Sequence, residues 1–173
     1  MRTLVYQSFR PTPGGLACDD VSVESIVEHV GTPAYIYSAR AIRESYRAID
    51  QAFAAYPHTI HYALKANSTL AIVRLLRSIG SKVDANSGGE IEVARRAGFS
   101  PADIVFTGVG KSHAELESAV AAGIGTINAE SAGELDRISA IACAQNREAR
   151  VALRVNPDID AGSHPNIDRK SVV

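Results

Sequence analysis

Cysteine is scarce in this sequence, with Cys18 and Cys143 as the only two residues of that type. Two distant thiols provide neither a disulfide framework nor a zinc site, so we expect a reducing, cytoplasmic location. The 5 histidines form no pair with a third ligand close by in the sequence. We therefore expect no metal centre.

An excess of charge of one sign is also lacking. Lysine and arginine total 18, aspartate and glutamate total 19, and the basic residues form no run. This balance argues against nucleic acid and against an anionic membrane surface as partners. No apolar stretch is long enough to span a bilayer, and residues 1–10 lack the apolar core of a signal peptide. The 46% apolar and 21% charged residues instead indicate a soluble globular domain.

Short apolar runs alternate with helical patterns from about residue 34 onward. Helices are expected to begin after Ser38, near Ser68 and after Ser87, Ser112 and Ser131, and the last three begin with the capping-box pattern Ser-x-x-Glu. This alternation predicts an α/β fold with a parallel sheet. The strands are expected at residues 34–37, 59–65, 82–85, 103–107, 125–128 and 150–156.

The faces of these strands favour a barrel, although an open doubly wound sheet fits the same alternation. His61, Ala63 and Lys65 share one face of their strand, as do Ala152 and Arg154, and bulky residues occupy the opposite faces. A small or polar face is expected where the barrel interior serves a site. We predict an incomplete (β/α)8 TIM-like barrel with about five of its eight strands, and we expect His61 to be packed in the core.

Residues 1–30 lie outside this repeat and are assigned to another domain. They read as a strand at residues 4–9, a turn at residues 11–15 and a short helix at residues 21–30 capped by Ser22. The barrel portion is assigned to residues 31–167.

Lys65 is the leading candidate for chemistry. It is predicted at the carboxyl end of a strand, where barrel enzymes keep their reactive groups. There an ε-amine can lose its proton and bond covalently to an aldehyde cofactor. The alternative is a solvated surface lysine. A phosphate loop at Lys111 and Ser112 is rejected because Val105 stands where that motif needs glycine, so these two residues are predicted to form a loop and a helix cap.

The run YALKAN at residues 62–67 resembles the cofactor-lysine motif of pyridoxal-phosphate decarboxylases with an alanine-racemase-like barrel. Four further segments agree, at residues 31–37, 84–90, 105–111 and 153–165. Together they resemble the diaminopimelate decarboxylase family over about residues 25–167. The resemblance implies a barrel that binds pyridoxal phosphate, a β-rich second domain that begins with the N-terminal strand, and a homodimer.

The resemblance also implies roles for four residues. Lys65 would hold the cofactor covalently and later take part in proton transfer. Asp84 would lie beside the cofactor ring, with a turn aspartate as the alternative. Arg154 would be a second polar group on the cofactor side, or else a structural ion pair, for example with Asp84. Asn67 would hydrogen-bond near the lysine, or simply start the turn.

The implied activity is decarboxylation of meso-diaminopimelate, a small amino acid, to lysine and CO2 in lysine biosynthesis. The alternatives are a sister decarboxylase acting on ornithine, arginine or carboxynorspermidine, and a non-catalytic barrel protein that binds pyridoxal phosphate. Residues 1–30 argue against the non-catalytic protein, which would lack the extra strand.

The end of the sequence departs from the family pattern at residues 168–173. These residues can be encoded by a common sequencing adapter, so we expect a non-native tail. The family's ring-stacking histidine, its glycine-rich phosphate loop, its acid for the pyridine nitrogen and its cross-dimer cysteine are expected beyond Val173. An unclosed barrel exposes a strand edge and apolar surface, so the isolated chain is expected to be poorly soluble and inactive.

Overall fold

The computed structural model describes residues 8–155. Most of the strand predicted at residues 4–9, and all of the tail at residues 168–173, lie outside the described residues. The chain divides into two compact units. The first runs to Ile60 and includes Ser78–Gly80, and the second comprises His61–Arg77 and the chain from Ser81 onward. The domain limits predicted above remain predictions.

The first unit contains a small antiparallel sheet followed by two helices. Strands β1 (Phe9–Thr12), β2 (Gly15–Cys18) and β3 (Val21–Ser22) pair in that order. The turn predicted at residues 11–15 is wrong in extent, because Pro11 and Thr12 pair with β2 and leave only Pro13 and Gly14 in the turn. Helix α1 (Val23–Val30) starts at the predicted cap, where the Ser22 hydroxyl accepts from the Ser25 amide at 3.3 Å.

The second helix of this unit, α2 (Ala39–Ala52), begins at the predicted cap Ser38. The Ser38 hydroxyl accepts from the Ala41 amide at 2.9 Å and donates to Asp19 at 2.6 Å. Asp19 also accepts from the Arg40 amide at 3.0 Å, and these hydrogen bonds hold the pKa of its carboxyl below the usual value. The strand predicted at residues 34–37 is wrong: the segment pairs with no strand of the described residues, and Tyr35 is 91% exposed.

The second unit is built on a five-stranded parallel sheet. Its strands follow one another in sequence order, as in a barrel, whereas a doubly wound sheet reverses its order at a switch point. The predicted parallel α/β architecture is confirmed. The strands are β4 (His61–Ala63), β5 (Lys82–Ala85), β6 (Ile104–Phe106), β7 (Thr126–Ala129) and β8 (Val151–Leu153). The helices are α3 (Leu70–Ser78), α4 (Gly88–Ala97), α5 (His113–Ala122) and α6 (Ala132–Ala144).

The two faces of this sheet differ as the strand pattern predicts. Val83, Ile104 and Phe106 are fully buried and form one core with apolar residues of the helices. His61 on β4 and Asp84 on β5 lie on the opposite face, where most side chains are small or polar. The prediction of a core histidine is wrong, because His61 lies on this polar face and is exposed, with its Nδ1 3.3 Å from the Val83 carbonyl oxygen.

The three Ser-x-x-Glu helices all use their serine as a cap. Ser87, Ser112 and Ser131 accept from the amide three residues later at 3.2, 3.3 and 3.2 Å, respectively. The reciprocal half of the capping box forms at α5, where the Glu115 carboxylate accepts from the Ser112 amide. In α4 and α6 the glutamate reaches one residue further back. Its carboxylate therefore fastens the loop that follows the preceding strand.

Glu115 also joins two neighbouring loops. Its Oε1 accepts from the Gly88 amide at 2.8 Å and its Oε2 from the Ser112 amide at 2.9 Å. These bonds, with that from the Ser112 hydroxyl, hold the pKa of the Glu115 carboxyl below its usual value. The charged form is therefore more stable in the folded chain than in the unfolded chain.

We expect Glu115→Gln to lower the free energy of unfolding by about 1 kcal/mol near neutral pH, since a neutral amide accepts these hydrogen bonds less strongly. A carboxyl whose pKa is depressed on folding stabilises above its unfolded pKa, and this contribution is lost as pH falls through the folded pKa. The gap between wild type and variant should close over that acidic range in urea titrations. A gap that does not change with pH would contradict the assignment.

Candidate active site

The carboxyl ends of the five parallel strands meet at one edge of the sheet, and Lys65 lies at that edge. The strand predicted to end at Lys65 stops at Ala63, and Leu64–Ala66 form one turn of 3-10 helix. Leu64 is fully buried and anchors this turn, whereas Lys65 is exposed. Within residues 8–155, Lys65 makes no hydrogen bond or ion pair. Its amine is therefore available to a ligand.

Asp84 lies on the neighbouring strand, opposite Ala63 in the register. The reading of Asp84 as a turn residue is wrong, because it lies within β5. Its Oδ1 is buried without a hydrogen-bond partner among the described residues. A buried polar atom left unpaired costs about 1–3 kcal/mol, so this oxygen needs a donor from a ligand or from solvent.

Asn86 is a site residue that the sequence reading did not select. Its Nδ2 is also buried without a partner in the described part of the chain. Its backbone is held in place, since its amide donates to Glu90 Oε2 at 2.7 Å. A Cβ atom at Gly108 would lie 2.0 Å from the Asn86 carbonyl oxygen, so only glycine allows the two loops to pack. Asp84 and Asn86 thus present an unpaired acceptor and an unpaired donor.

Arg154 follows β8 at the same edge. The alternative of a structural ion pair is what the contacts of Arg154 support, although the suggested partner Asp84 is wrong: Arg154 Nη1 donates to Glu130 Oε1 at 3.2 Å. The Glu130 side chain is 17% exposed and that of Arg154 is 41% exposed. Glu130 in the β7–α6 loop therefore holds the Arg154 side chain, which remains partly exposed to solvent.

Asn67 starts the turn into α3. Its Oδ1 accepts from the Thr69 amide at 2.9 Å, and its carbonyl oxygen accepts from the Tyr62 hydroxyl at 3.1 Å. The turn reading of Asn67 is what the contacts support. A contact between Asn67 and a cofactor remains a prediction.

Lys111 was predicted as an ordinary loop residue, but its side chain is buried. Its Nζ donates to the Asn128 carbonyl oxygen at 2.6 Å and to Glu134 Oε2 at 3.1 Å. The ammonium also lies 5.5 Å from the centre of the Phe106 ring. The Gly-Lys-Ser loop carries no local signal for this pair, because the partner glutamate is 23 residues away. The adjacent Ser112 caps α5 as predicted.

The family model described as "Pyridoxal-dependent decarboxylase, pyridoxal binding domain" matches residues 39–171. This chain belongs to that family. The cofactor is therefore pyridoxal in its phosphate form, as the sequence motifs predict. No helix among residues 8–155 has the length and apolar character needed to cross a membrane.

Curated relatives carry a more specific name. A diaminopimelate decarboxylase from Neisseria meningitidis serogroup B is 43% identical over 152 residues, covering 88% of this chain and 37% of the relative. Another from Aquifex aeolicus is 42% identical, covering 89% of this chain and 36% of the relative. The chain thus spans little more than a third of the length of these relatives.

Solved structures agree with the fold. The diaminopimelate decarboxylase of M. jannaschii in complex with L-lysine superposes with a TM-score of 0.85 at 32% identity, covering 93% of this chain and 38% of that one. A lysine/ornithine decarboxylase from Vibrio vulnificus with putrescine gives a TM-score of 0.67 at 28% identity, with 77% and 35% covered.

The residues at this edge fit pyridoxal phosphate. The primary amine of Lys65, which has no partner in the described part of the chain, suits the aldehyde of the cofactor. Asp84 Oδ1 and Asn86 Nδ2, both without a partner among residues 8–155, suit a ligand with both donors and acceptors. Lys65 and Asn86 lie in the first two βα loops of the sheet, and Asp84 lies near the carboxyl end of β5.

Proposed function

We propose that this chain is the pyridoxal-binding part of a diaminopimelate decarboxylase that converts meso-diaminopimelate to lysine and CO2. The observation that carries the proposal is the Lys65 amine, which has no partner among residues 8–155 and follows the strand that pairs with the strand of Asp84, whose Oδ1 also lacks a partner there. Membership of the pyridoxal-binding family and the relatives at 43% and 42% identity support it. Activity is proposed for the full-length protein, since the chain spans 37% of the first of these relatives.

Each site residue has a proposed part in this reaction. Lys65 would hold the cofactor aldehyde covalently through Nζ and would also carry a proton at that atom. Asp84 stabilises positive charge at that end of the site. Arg154 and Asn67 add polar contacts on the cofactor side, and the Asn86 side-chain Nδ2 donates to the ligand. Pyridoxal phosphate, when bound, supplies an electron-withdrawing ring that accepts the electron pair left as CO2 departs.

The second candidate is a sister decarboxylase of ornithine, arginine or carboxynorspermidine. The superposition with the lysine/ornithine decarboxylase favours it, although identity is lower than to the diaminopimelate enzymes. We also propose a cytoplasmic homodimer with no nucleic-acid or membrane partner, in keeping with the free thiols of Cys18 and Cys143. Residues 1–30 would supply the first strand of a second, β-rich domain.

The test is CO2 release by the full-length protein from meso-diaminopimelate, ornithine, arginine and carboxynorspermidine, each supplied with pyridoxal phosphate. We expect turnover of meso-diaminopimelate, with lysine as the product. Preferential release from ornithine, arginine or carboxynorspermidine would select the second candidate. Cofactor binding without CO2 release from any of them would contradict both candidates and favour a non-catalytic pyridoxal-phosphate protein.

A further inference from the structure

A buried ion pair lies beneath the β7–α6 loop. The Lys111 and Glu134 side chains are 0% and 3% exposed, and Nζ lies 3.1 Å from Oε2. Lys111 also donates to the Asn128 carbonyl oxygen, and Glu134 Oε2 accepts from the Glu130 amide at 2.8 Å. The two charges therefore hold both ends of the segment from Asn128 to Glu130.

This segment carries the residue that holds Arg154. The Glu130 carboxylate forms an ion pair with the Arg154 guanidinium at 3.2 Å, while the Glu130 backbone amide donates to the Glu134 carboxylate. The Arg154 amide donates to the carbonyl oxygen of Ala129, in the same segment, at 3.0 Å. A continuous chain of contacts thus runs from the buried pair to a candidate site residue.

Capping of α6 and attachment of its preceding loop do not require a buried lysine. Ser131 alone caps α6 by accepting from the Glu134 amide at 3.2 Å, and Ser87 and Glu90 fasten the β5–α4 loop without a lysine. Burying an ion pair carries a large desolvation cost, and it is weak evidence for a purely stabilising role. The need to hold a site residue in a fixed position explains a buried ion pair better than stability does.

We propose that Lys111 and Glu134 are positioning residues that set the direction of Arg154 through Glu130. They touch neither cofactor nor substrate. The inference rests on the proposed function, since it assumes that Arg154 acts on the cofactor side. Its consequence is that loss of the pair weakens cofactor binding through Arg154, beyond any loss of stability.

The experiment measures pyridoxal phosphate itself. The dissociation constant and absorption maximum of the bound cofactor are recorded for the full-length protein by titration of the apoprotein. Glu130→Gln, which leaves the buried pair intact, should weaken binding about tenfold and shift the absorption maximum, because charge near the ring tunes its electronics. Lys111→Met should have the same effects. The variant with both changes should bind no more weakly than either one, because the residues act through one contact.

Two further variants separate positioning from folding. The double variant Lys111→Met with Glu134→Leu removes both charges and the acceptor for the Glu130 amide, so it carries the test should Lys111→Met fail to fold. Val120→Ala removes buried methyl groups from α5 and should lower thermal stability without changing the absorption maximum.

The inference would be overturned if the loss of cofactor affinity in the variant with both Glu130→Gln and Lys111→Met equalled the product of the two single losses. An unchanged affinity in a folded Lys111→Met variant, or in the double variant Lys111→Met with Glu134→Leu, would also overturn it. Failure of the proposed function is distinguishable, because the unmodified full-length protein would then bind no pyridoxal phosphate or release no CO2.

Discussion

Replacing Lys65 with alanine is expected to abolish covalent capture of pyridoxal phosphate and to lower decarboxylase activity of the full-length protein by about a thousandfold or more. The reason is chemical, since Lys65 is the candidate amine at the carboxyl edge of the sheet that makes no hydrogen bond or ion pair within residues 8–155. Borohydride reduction followed by peptide mapping should find the cofactor on Lys65 alone. Lys65→Arg keeps the charge but has no primary amine, and it should fail equally.

The matched control is Lys82→Ala. Lys82 begins β5 at the opposite end of the strands and pairs with Asp103 at 3.1 Å. Its replacement should leave both labelling and activity unchanged. Cofactor recovered on Lys82 or Lys111, or full activity in Lys65→Ala, would refute the assignment of Lys65.

Local sequence patterns predicted the features that depend on neighbours along the chain. Ser22, Ser38 and Ser112 cap the helices expected of them, because a cap needs only the next few amides. The alternation of strands and helices likewise indicated a parallel sheet. The prediction of a strand at residues 34–37 was wrong because a β-like composition does not show whether a neighbouring strand is available for pairing.

The candidate site was predictable only in part, for a similar reason. Lys65 and Asp84 stand out because they end or follow apolar runs and match a family motif. The partner of Arg154 is 24 residues away, and the partner of Lys111 is 23 residues away. Such contacts depend on how adjacent βα loops pack. Asn86 is notable only once its side-chain Nδ2 is seen to be buried without a partner in the described part of the chain.

The Lys111→Met variant is expected to lose about 3–5 kcal/mol of free energy of unfolding, the cost of leaving one buried charge without its partner. The uncompensated charge is that of Glu134, whose side chain is 3% exposed. The exposed Arg137, with Nη2 3.8 Å from Glu134 Oε1, is too solvated to replace the lysine. Chemical denaturation of the variant and wild type measures the difference.

The double variant Lys111→Met with Glu134→Leu should recover much of this loss, because apolar side chains of similar volume remove both charges from the interior. Glu92→Gln is the surface control. Glu92 pairs with Arg96 at 2.8 Å with both side chains more than half exposed, and its replacement should have little effect on the free energy of unfolding. A Lys111→Met variant as stable as Glu92→Gln would contradict the burial of the pair. Recovery of stability in the double variant without recovery of cofactor affinity would separate what the pair does for the fold from what it does for Arg154.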